Sequence, residues 1–379
     1  MNIFYWSPFL SQIATISSVT RSAESITNYS KKKHSISIID SVGEWENYNN
    51  LKNIDFIKLY KKSFYNNLPK GGFLKSRLSQ LIIFVFSFNK LLKLLNKDQP
   101  DFLIAHLITS LPILLSSFIS KKTKIILRIS GLPRLNIFRK LYWKFFSKKI
   151  FKVTCPSYTT YKELIRLNIF KKEQLEILYD PIINIREFKE RKFDKIDDFL
   201  KDKKFILGIG RITRQKNFSL LINAFHKIQK NFPKLLLVIL GEGEDKNKIL
   251  NLISKKNLSN NIYLLGYKKN VYKYLINAEC FILSSLWEDP GFVLFEAALS
   301  NTPIISSNCR NGHLDIMDNE KNGFLFDNNN VEDLVDKYNQ FKLLNEFEVK
   351  KKSISAKKYI KKYTIYNHFN KLSSILKIV

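Results

Sequence analysis

"FILGIGRITRQKNFSLLINAFHKIQKNFPKLLLVILGEGED", residues 205–245, decides how the rest of the chain is read. Its two apolar runs, "FILGIG" and "LLLVIL", show no inside–outside alternation, the mark of strands buried on both faces. Between them Phe218, Leu221, Ile222, Phe225 and Ile228 recur at helical spacing. Strand, helix and buried strand in that order need a parallel pairing, because a crossover helix returns the chain to the same end of the sheet.

The rhythm continues outward. Toward the C-terminus "IYLLG", "CFILSS", "PIISS" and "GFLF" are further strands separated by helical segments, which makes this half a doubly wound domain. Toward the N-terminus "NIFYW", "SISIID", "IDFIKLY", "DFLIAH", "KIILRIS", "KVTCPS" and "LEILYD" repeat the pattern. At 379 residues the chain exceeds one ordinary core. The expected organisation is an N-terminal Rossmann-like domain over 1–184, a second over 185–360 and a closing helix over 361–379. The charged, Pro-bearing stretch 179–204 forms the link. Ligands of open α/β sheets bind at the carboxyl ends of the strands.

Composition excludes several classes. The three cysteines, Cys155, Cys280 and Cys309, lie in apolar strand-like stretches without Cys-x-x-Cys spacing, which suits a reducing compartment and argues against a disulfide scaffold. "MNIFYWSPFL" has no basic segment before an apolar core, so no signal peptide is expected. The apolar run "LIIFVFSF" at 81–88 falls far short of the roughly 20 residues that span a bilayer. A cytoplasmic protein with no spanning segment is the expectation. The net charge of +30 favours anionic surfaces and ligands, although Lys, Asn and Ile enrichment along the whole chain also fits genomic nucleotide bias.

After "FILGIG" the loop carries Arg211, Arg214 and Lys216, with Asn217 placed to cap the next helix. Cations at a strand's carboxyl end beside a helix N-terminus make a diphosphate site. "GIGRIT" and "GEGEDK" both lack the third Gly of a dinucleotide fingerprint, which argues against a hydride enzyme. A second such loop lies in "SSLWEDPGFVLFEAALSNTPIISSN", residues 284–308. There Asp289 is placed to cap a helix, Pro290 to begin it, and Gly291 to let backbone N–H groups approach a ligand. With the helix over Pro290–Leu299, Glu296 has no Lys or Arg one turn away and stands in otherwise apolar surroundings, so it reads as a buried carboxylate awaiting a partner.

Taken together, the spacing Glu-x7-Glu of Glu288 and Glu296 in "WEDPGFVLFEA", with "GIGRITRQKNFSLLINAF" and "LGEGED", resembles the GT-B glycosyltransferases of family 4, in particular those that build bacterial surface polysaccharides. The resemblance implies two Rossmann-like domains facing across a cleft. It implies that Arg211 and Lys216 bind the nucleotide diphosphate, that Glu288 faces the donor sugar and that Glu296 binds the ribose. Gly291, Phe292 and Val293 then lie beside the nucleotide at the helix start. In the N-terminal half "DFLIAHLITSLP" resembles the segment whose His reaches the donor sugar, here His106. "RISGLPRLN" and "SNCRNGHLDI" look like cleft loops that place Arg128, Gly131 and Gly312 near the substrates. The Gly-rich turn usual after the first strand is replaced here by "SPFLSQIATISS".

The implied reaction moves a sugar from a nucleotide-sugar donor, a UDP-sugar, to a glycan or polyprenyl-linked glycan with retention at the anomeric carbon. Glu288, His106, Arg211 and Lys216 are the candidate catalytic residues, and no general base is assigned. No cofactor is expected. No Asp-x-Asp occurs in the sequence to hold a divalent cation, so no metal is expected either.

"RLNIFRKLYWKFFSKKIFK", 134–152, interleaves aromatic and basic residues at helical spacing without an acid, which suits an anionic membrane surface. The expected location is the cytoplasmic face of the inner membrane. Two other functions compete with transfer. A nucleic-acid-binding protein would use the +30 charge, yet no compact basic recognition motif is present. A GT-B nucleotide-sugar epimerase would bind the same donor and transfer nothing.

Overall fold

The computed structural model describes residues 1–10, 14–48, 51–69, 73–131, 133, 135–288, 291–309 and 314–378. Asp289, Pro290 and Gly312 therefore lie outside the described residues. Every strand pairing in the structure is parallel. The strands are β1 Asn2–Trp6, β2 Ser35–Asp40, β3 Asp55–Lys58, β4 Phe102–His106, β5 Lys124–Arg128, β6 Lys152–Cys155, β7 Leu175–Ile177, β8 Phe205–Ile209, β9 Leu236–Leu240, β10 Ile262–Leu264, β11 Cys280–Leu283, β12 Ile304–Ser307 and β13 Phe324–Phe326. Each falls inside one of the apolar stretches singled out above. The helices are α1 Ala14–Tyr29, α2 Phe73–Asp98, α3 Ser110–Leu115, α4 Ile137–Phe146, α5 Tyr158–Leu167, α6 Ile185–Arg191, α7 Phe218–Asn231, α8 Lys246–Lys255, α9 Tyr272–Leu275, α10 Phe292–Leu299, α11 Leu314–Met317, α12 Val331–Leu343, α13 Glu346–Ile360 and α14 Ile365–Leu376.

The strands form two sheets, ordered β3-β2-β1-β4-β5-β6-β7 and β10-β9-β8-β11-β12-β13. In each, the order reverses once, between β1 and β4 in the first and between β8 and β11 in the second. These are the topological switch points at which doubly wound sheets open a crevice. The chain divides into two compact units: unit 1 is Met1–Ile182 with Tyr363–Val379, and unit 2 is Ile183–Lys362. In unit 2 all five residues of β9 are buried, and α7 buries Phe218, Leu221, Ile222, Phe225 and Ile228 against the sheet, the stripe its spacing foretells.

The last helix, α14, belongs to unit 1. Leu372, Ile375 and Leu376 share a core with Val19, Ala23 and Ile26 of α1, and Tyr29 meets Tyr366 and Phe369 edge-on or tilted at 5.4 and 5.8 Å. Where the chain leaves and returns to this unit, the Ile182 N–H donates to the Tyr363 carbonyl at 3.0 Å, and Tyr179 packs on Tyr363 with ring centroids 4.8 Å apart.

The apolar run at 81–88 is only the middle of α2, a helix of 26 residues. By length and composition alone Leu74–Asp98 is long and apolar enough to cross a membrane, a test that a core helix of a soluble protein also passes. Part of this helix is core, since Ile83, Leu91 and Leu95 are wholly buried in unit 1, while Leu74, Leu78, Leu81 and Val85 are exposed.

Candidate functional site

At the switch point of unit 2 three loops leave the carboxyl ends of neighbouring strands: 211–217 after β8, 241–245 after β9 and, in its described part, 284–288 after β11. Apolar strands bring them together and backbone hydrogen bonds join them. The Ile212 N–H donates to the Glu242 carbonyl at 2.9 Å, and Leu286 N–H to the Gln215 carbonyl at 2.8 Å. Side chains add Gln215 Nε2 to the Trp287 carbonyl at 2.9 Å and Ser284 Oγ to the Lys216 carbonyl at 2.8 Å. The glycines rejected above as a dinucleotide fingerprint have another use. Gly241, at φ +147°, passes so close to the β8 loop that a Cβ there would lie 1.9 Å from the Gly210 carbonyl oxygen. Gly210, at φ +153°, leaves room for the aliphatic stem of Lys216, whose Cε would be 2.9 Å from an added Cβ.

Held this way, Lys216 Nζ forms an ion pair with Glu288 Oε1. Ser285 Oγ donates to the same carboxylate oxygen at 2.5 Å, and Ser307 Oγ, at the end of β12, donates to the Ser285 carbonyl at 2.6 Å. Glu288 is 3% exposed. A carboxylate this buried requires a paired cation and further hydrogen bonds, and both are present. Beside it lies Cys309, whose thiol burial pushes up above its ordinary range, with the Glu288 charge adding to the rise.

The burial of the two carboxylates is the reverse of what the sequence suggested. Glu288 is the buried one and Glu296 is half-buried. Helix α10 begins at Phe292, with Gly291 at its N-cap in a left-handed conformation, φ 74°. At about 100° per residue, Phe292, Glu296 and Val293 fall within an arc of about 100°, with Glu296 between the other two. That arc is the half-buried face, while Leu294, Phe295, Ala297, Ala298 and Leu299 cover the buried remainder. The apolar composition of the stretch hid a polar face one residue wide. Asn217 also departs from expectation. It occupies the N-cap position of α7 with φ 49° but makes no side-chain capping bond, because its amide turns to Asn329 Oδ1 at 3.0 Å. Arg211 and Arg214 are exposed in the same loop. The structure therefore brings Lys216 and Glu288 together, places Arg211 on the same loop as Lys216, and sets Glu296, Phe292 and Val293 on one face of the helix that follows Glu288.

His106 and Arg128 belong to unit 1, at the carboxyl ends of β4 and β5, where they are register partners. Both are buried, at 5% and 3% exposure. Arg128 donates to the Leu178 carbonyl and pairs with Asp180. Next to it His368 of α14 makes a 2.8 Å bond through Nε2 to Ser22 Oγ and a 2.7 Å bond through Nδ1 to the Tyr179 carbonyl. Burial pushes the imidazole of His106 well below its ordinary range, and Arg128 and His368 push it further. The cavity that His106, Arg128 and His368 line has about 10 Å³ of room, which admits a water and not a sugar. The resemblance placed Arg128 in a cleft loop near the substrates, whereas its guanidinium is committed to Asp180 and Leu178. The sequence did not single out Ser285, Ser307 and Gln215, which support the unit 2 pair. The only signal for the two serines is the "SS" that ends both "CFILSS" and "PIISS", and Gln215 has none.

A doubly wound sheet with a Lys–Glu pair and exposed arginines at its switch point has its cations where open α/β sheets take their ligands. The model of the family "Glycosyl transferases group 1" matches residues 189–362. The chain is 30% identical over 334 residues to an uncharacterised glycosyltransferase of Methanocaldococcus jannaschii, covering 77% of this chain and 79% of that one. It is 32% identical over 169 residues, 45% of this chain and 44% of the other, to the Campylobacter jejuni N-acetylgalactosamine-N,N'-diacetylbacillosaminyl-diphospho-undecaprenol 4-alpha-N-acetylgalactosaminyltransferase. Among solved structures, Anabaena HepE in complex with UDP superposes with a TM-score of 0.73 at 12% identity over all of both chains. A glycosyltransferase from Rickettsia africae superposes at 0.74 and 16%, covering 99% of this chain and 97% of that one. The fold is that of the GT-B glycosyltransferases. This chain belongs to the group 1 glycosyltransferases.

Proposed function

We propose that the protein transfers a hexose from a nucleotide-sugar donor, a UDP-sugar, to a lipid-linked or polymeric glycan acceptor, with retention at the anomeric carbon. The observation that carries this reading is the buried Lys216–Glu288 pair at the β8/β11 switch point, with Arg211 exposed on the same loop. The acceptor class follows from the Campylobacter relative, whose name specifies a diphospho-undecaprenol substrate. Two further relatives, a poly(ribitol-phosphate) alpha-N-acetylglucosaminyltransferase of Staphylococcus aureus and a galactosyltransferase of Escherichia coli acting on a GlcNAc-diphosphoundecaprenol, support it.

In this reading the donor diphosphate displaces Glu288 as the partner of Lys216. The ammonium and the Arg211 guanidinium then face the phosphate oxygens, where negative charge accumulates as the glycosidic bond breaks. The N-terminus of α10 at Gly291 adds its partial positive charge. Released from Lys216, the Glu288 carboxylate is free to accept hydrogen bonds from the donor sugar's hydroxyls. Glu296, flanked by Phe292 and Val293, takes the ribose. The reading uses unit 2 residues alone and leaves His106 in its buried network.

The test is a thermal-shift screen of nucleotide sugars followed by transfer assays with the donor that binds. A ligand at 100 times its Kd raises stability by about 2.7 kcal/mol. Product glycoside should form in excess EDTA, since in this reading Arg211 and Lys216 supply the positive charge at the diphosphate. An epimerised sugar without transfer would establish the epimerase reading instead. Failure of every nucleotide sugar to shift the melting curve would overturn the donor site itself.

A further inference from the structure

Two helices of unit 1 take no part in the proposed chemistry. On α2, Leu74, Leu78, Leu81 and Val85 recur at i, i+4, i+7 and i+11, and on α4, Ile137, Phe138, Leu141 and Phe145 recur at i, i+1, i+4 and i+8. Each of these eight side chains is between 50% and 81% exposed. In water, two such stripes on one domain are unfavourable, and monomeric soluble proteins rarely expose apolar patches beyond a few hundred Å².

The two helices border a single groove. Arg77 and Leu81 of α2, Arg139 of α4, and Ile108, Thr109 and Ser110 at the start of α3 line a depression of about 400 Å³ whose walls hold no carboxylate. Arg139 is half-buried there, and burial together with the nearby Arg77 charge lowers its pKa. The position of α4 is fixed by Tyr142 Oη and Trp143 Nε1, which donate to the Ser110 carbonyl and hydroxyl, each at 3.0 Å, and by the Arg139 guanidinium over the Trp143 ring at 5.0 Å. Around the apolar stripes stand Lys75, Lys140, Lys144, Lys148 and Lys149. The first acid on α2 is Asp98, at its far end, and α4 has none.

We propose that α2 and α4 form one docking face that seats the protein in the plane of an anionic phospholipid bilayer, with the apolar stripes entering the acyl boundary and Arg77 and Arg139 holding a lipid phosphate in the groove between them. Apolar side chains ringed by cations and lacking acids complement an anionic interface. An acidic protein partner would satisfy the lysines but leave the two apolar stripes to find a matching surface. The face lies on the membrane and does not cross it, although α2 has the length to span. Ile83, Leu91 and Leu95 of the same helix are built into the core of unit 1, and Ser79 Oγ donates to the Pro69 carbonyl at 2.6 Å, so insertion of α2 across the bilayer would dismantle that core. The inference rests on the proposed lipid-linked acceptor only for its purpose.

The test uses the full chain, without nucleotide or acceptor, in flotation with vesicles of phosphatidylcholine alone or with about 30% phosphatidylglycerol. The wild type should partition at least tenfold more strongly onto the anionic vesicles. The α2 variant Leu78→Gln/Leu81→Gln/Val85→Gln and the α4 variant Phe138→Gln/Leu141→Gln/Phe145→Gln should each lower that partition at least tenfold with unchanged melting curves, since all six side chains are exposed. Arg77→Gln/Arg139→Gln should abolish most of the preference for the anionic lipid. In Val85→Trp, fluorescence above the wild-type background should be quenched more by lipids brominated near the headgroup than by lipids brominated near the bilayer centre. Wild-type binding by the α2 variant would overturn the two-helix face. Stronger quenching from the bilayer centre would overturn the in-plane arrangement, and an unchanged lipid preference in the arginine variant would remove the phosphate groove. Transfer to a short water-soluble acceptor should survive in all these variants. Loss of donor turnover in the wild type would count against the proposed reaction and leave vesicle binding untouched.

Discussion

Arg128 with Asp180 in unit 1, and Lys216 with Glu288 in unit 2, are both buried cation–carboxylate pairs between residues distant in sequence. Their surroundings differ. The Arg128 pair is enclosed by protein groups: Leu178 accepts from the guanidinium, and His368 beside it is bonded through both ring nitrogens. The Lys216 pair ends in three loops stitched at glycines, and its neighbours in the β8 loop, Arg211 and Arg214, face solvent. A satisfied pair inside a closed network joins elements of the fold, here α14 to the first sheet. A pair at a switch point next to exposed cations can trade its partner for a ligand.

Lys216→Ala should separate the two kinds most sharply. It should lower transfer by about 10²–10³-fold, the effect of losing one charge-stabilising donor, and it should also destabilise unit 2 by about 3 kcal/mol because Glu288 is left buried without a cation. In Lys216→Met/Glu288→Leu the stability should return and the transfer should not. Recovery of transfer in that double variant would place the pair with Arg128–Asp180 as structural. Arg128→Met should cost about 3–5 kcal/mol in denaturant unfolding while donor affinity, measured by calorimetry on the folded fraction, stays at the wild-type value. A large loss of affinity would mean that Arg128 touches substrate after all.

The unit 1 network should also make the fold acid-sensitive. Burial lowers the imidazole of His368 from 6.5 to about 4. A histidine whose folded pKa is depressed binds fewer protons folded than unfolded. Its contribution is therefore complete above pH 6.5 and is lost as pH falls from 6.5 to about 4, a change of about 3 kcal/mol. His106, shifted in the same direction, adds to it. Unfolding free energies measured across that window should fall, and His368→Gln should flatten the slope. The smallest effect belongs to Glu296→Ala, which should weaken nucleotide binding about tenfold, or about 1.4 kcal/mol, with no change in melting temperature because the side chain is half-buried on a helix face. Equal affinity in the mutant would remove the ribose assignment.

The strands were the most legible part of the chain. A buried parallel strand is a short apolar run between polar loops, and all thirteen signals, from "NIFYW" to "GFLF", correspond to strands in the two sheets. The ends of elements were less legible. The apolar neighbours of Glu296 suggest burial, but an eight-residue helix with Ala297 and Ala298 on its inner side needs only an arc of about 100° to bring a carboxylate out. Glu288 gives no sign of burial, since its cation Lys216 lies 72 residues away in the β8 loop and Ser307, which holds Ser285, ends β12; only the sheet order brings them together. In α2 the unbroken run at 81–88 conceals a stripe spaced every three or four residues from Leu74 to Val85, and exposure along a helix is a tertiary property.

The hydrogen bond between Ile182 and Tyr363 has a consequence for how this architecture can be recombined. The two points at which the backbone departs from unit 1 and comes back to it are clasped side by side, with the Arg21 guanidinium also donating to the Ile182 carbonyl. Residues 183–362 are therefore a cassette spliced into a host whose own ends remain joined. A short turn across the clasp should let the host fold without its insert, and a 183–362 segment taken from another group 1 transferase could be exchanged at those two positions without disturbing either flank. Under the proposed function, donor preference should then travel with the cassette.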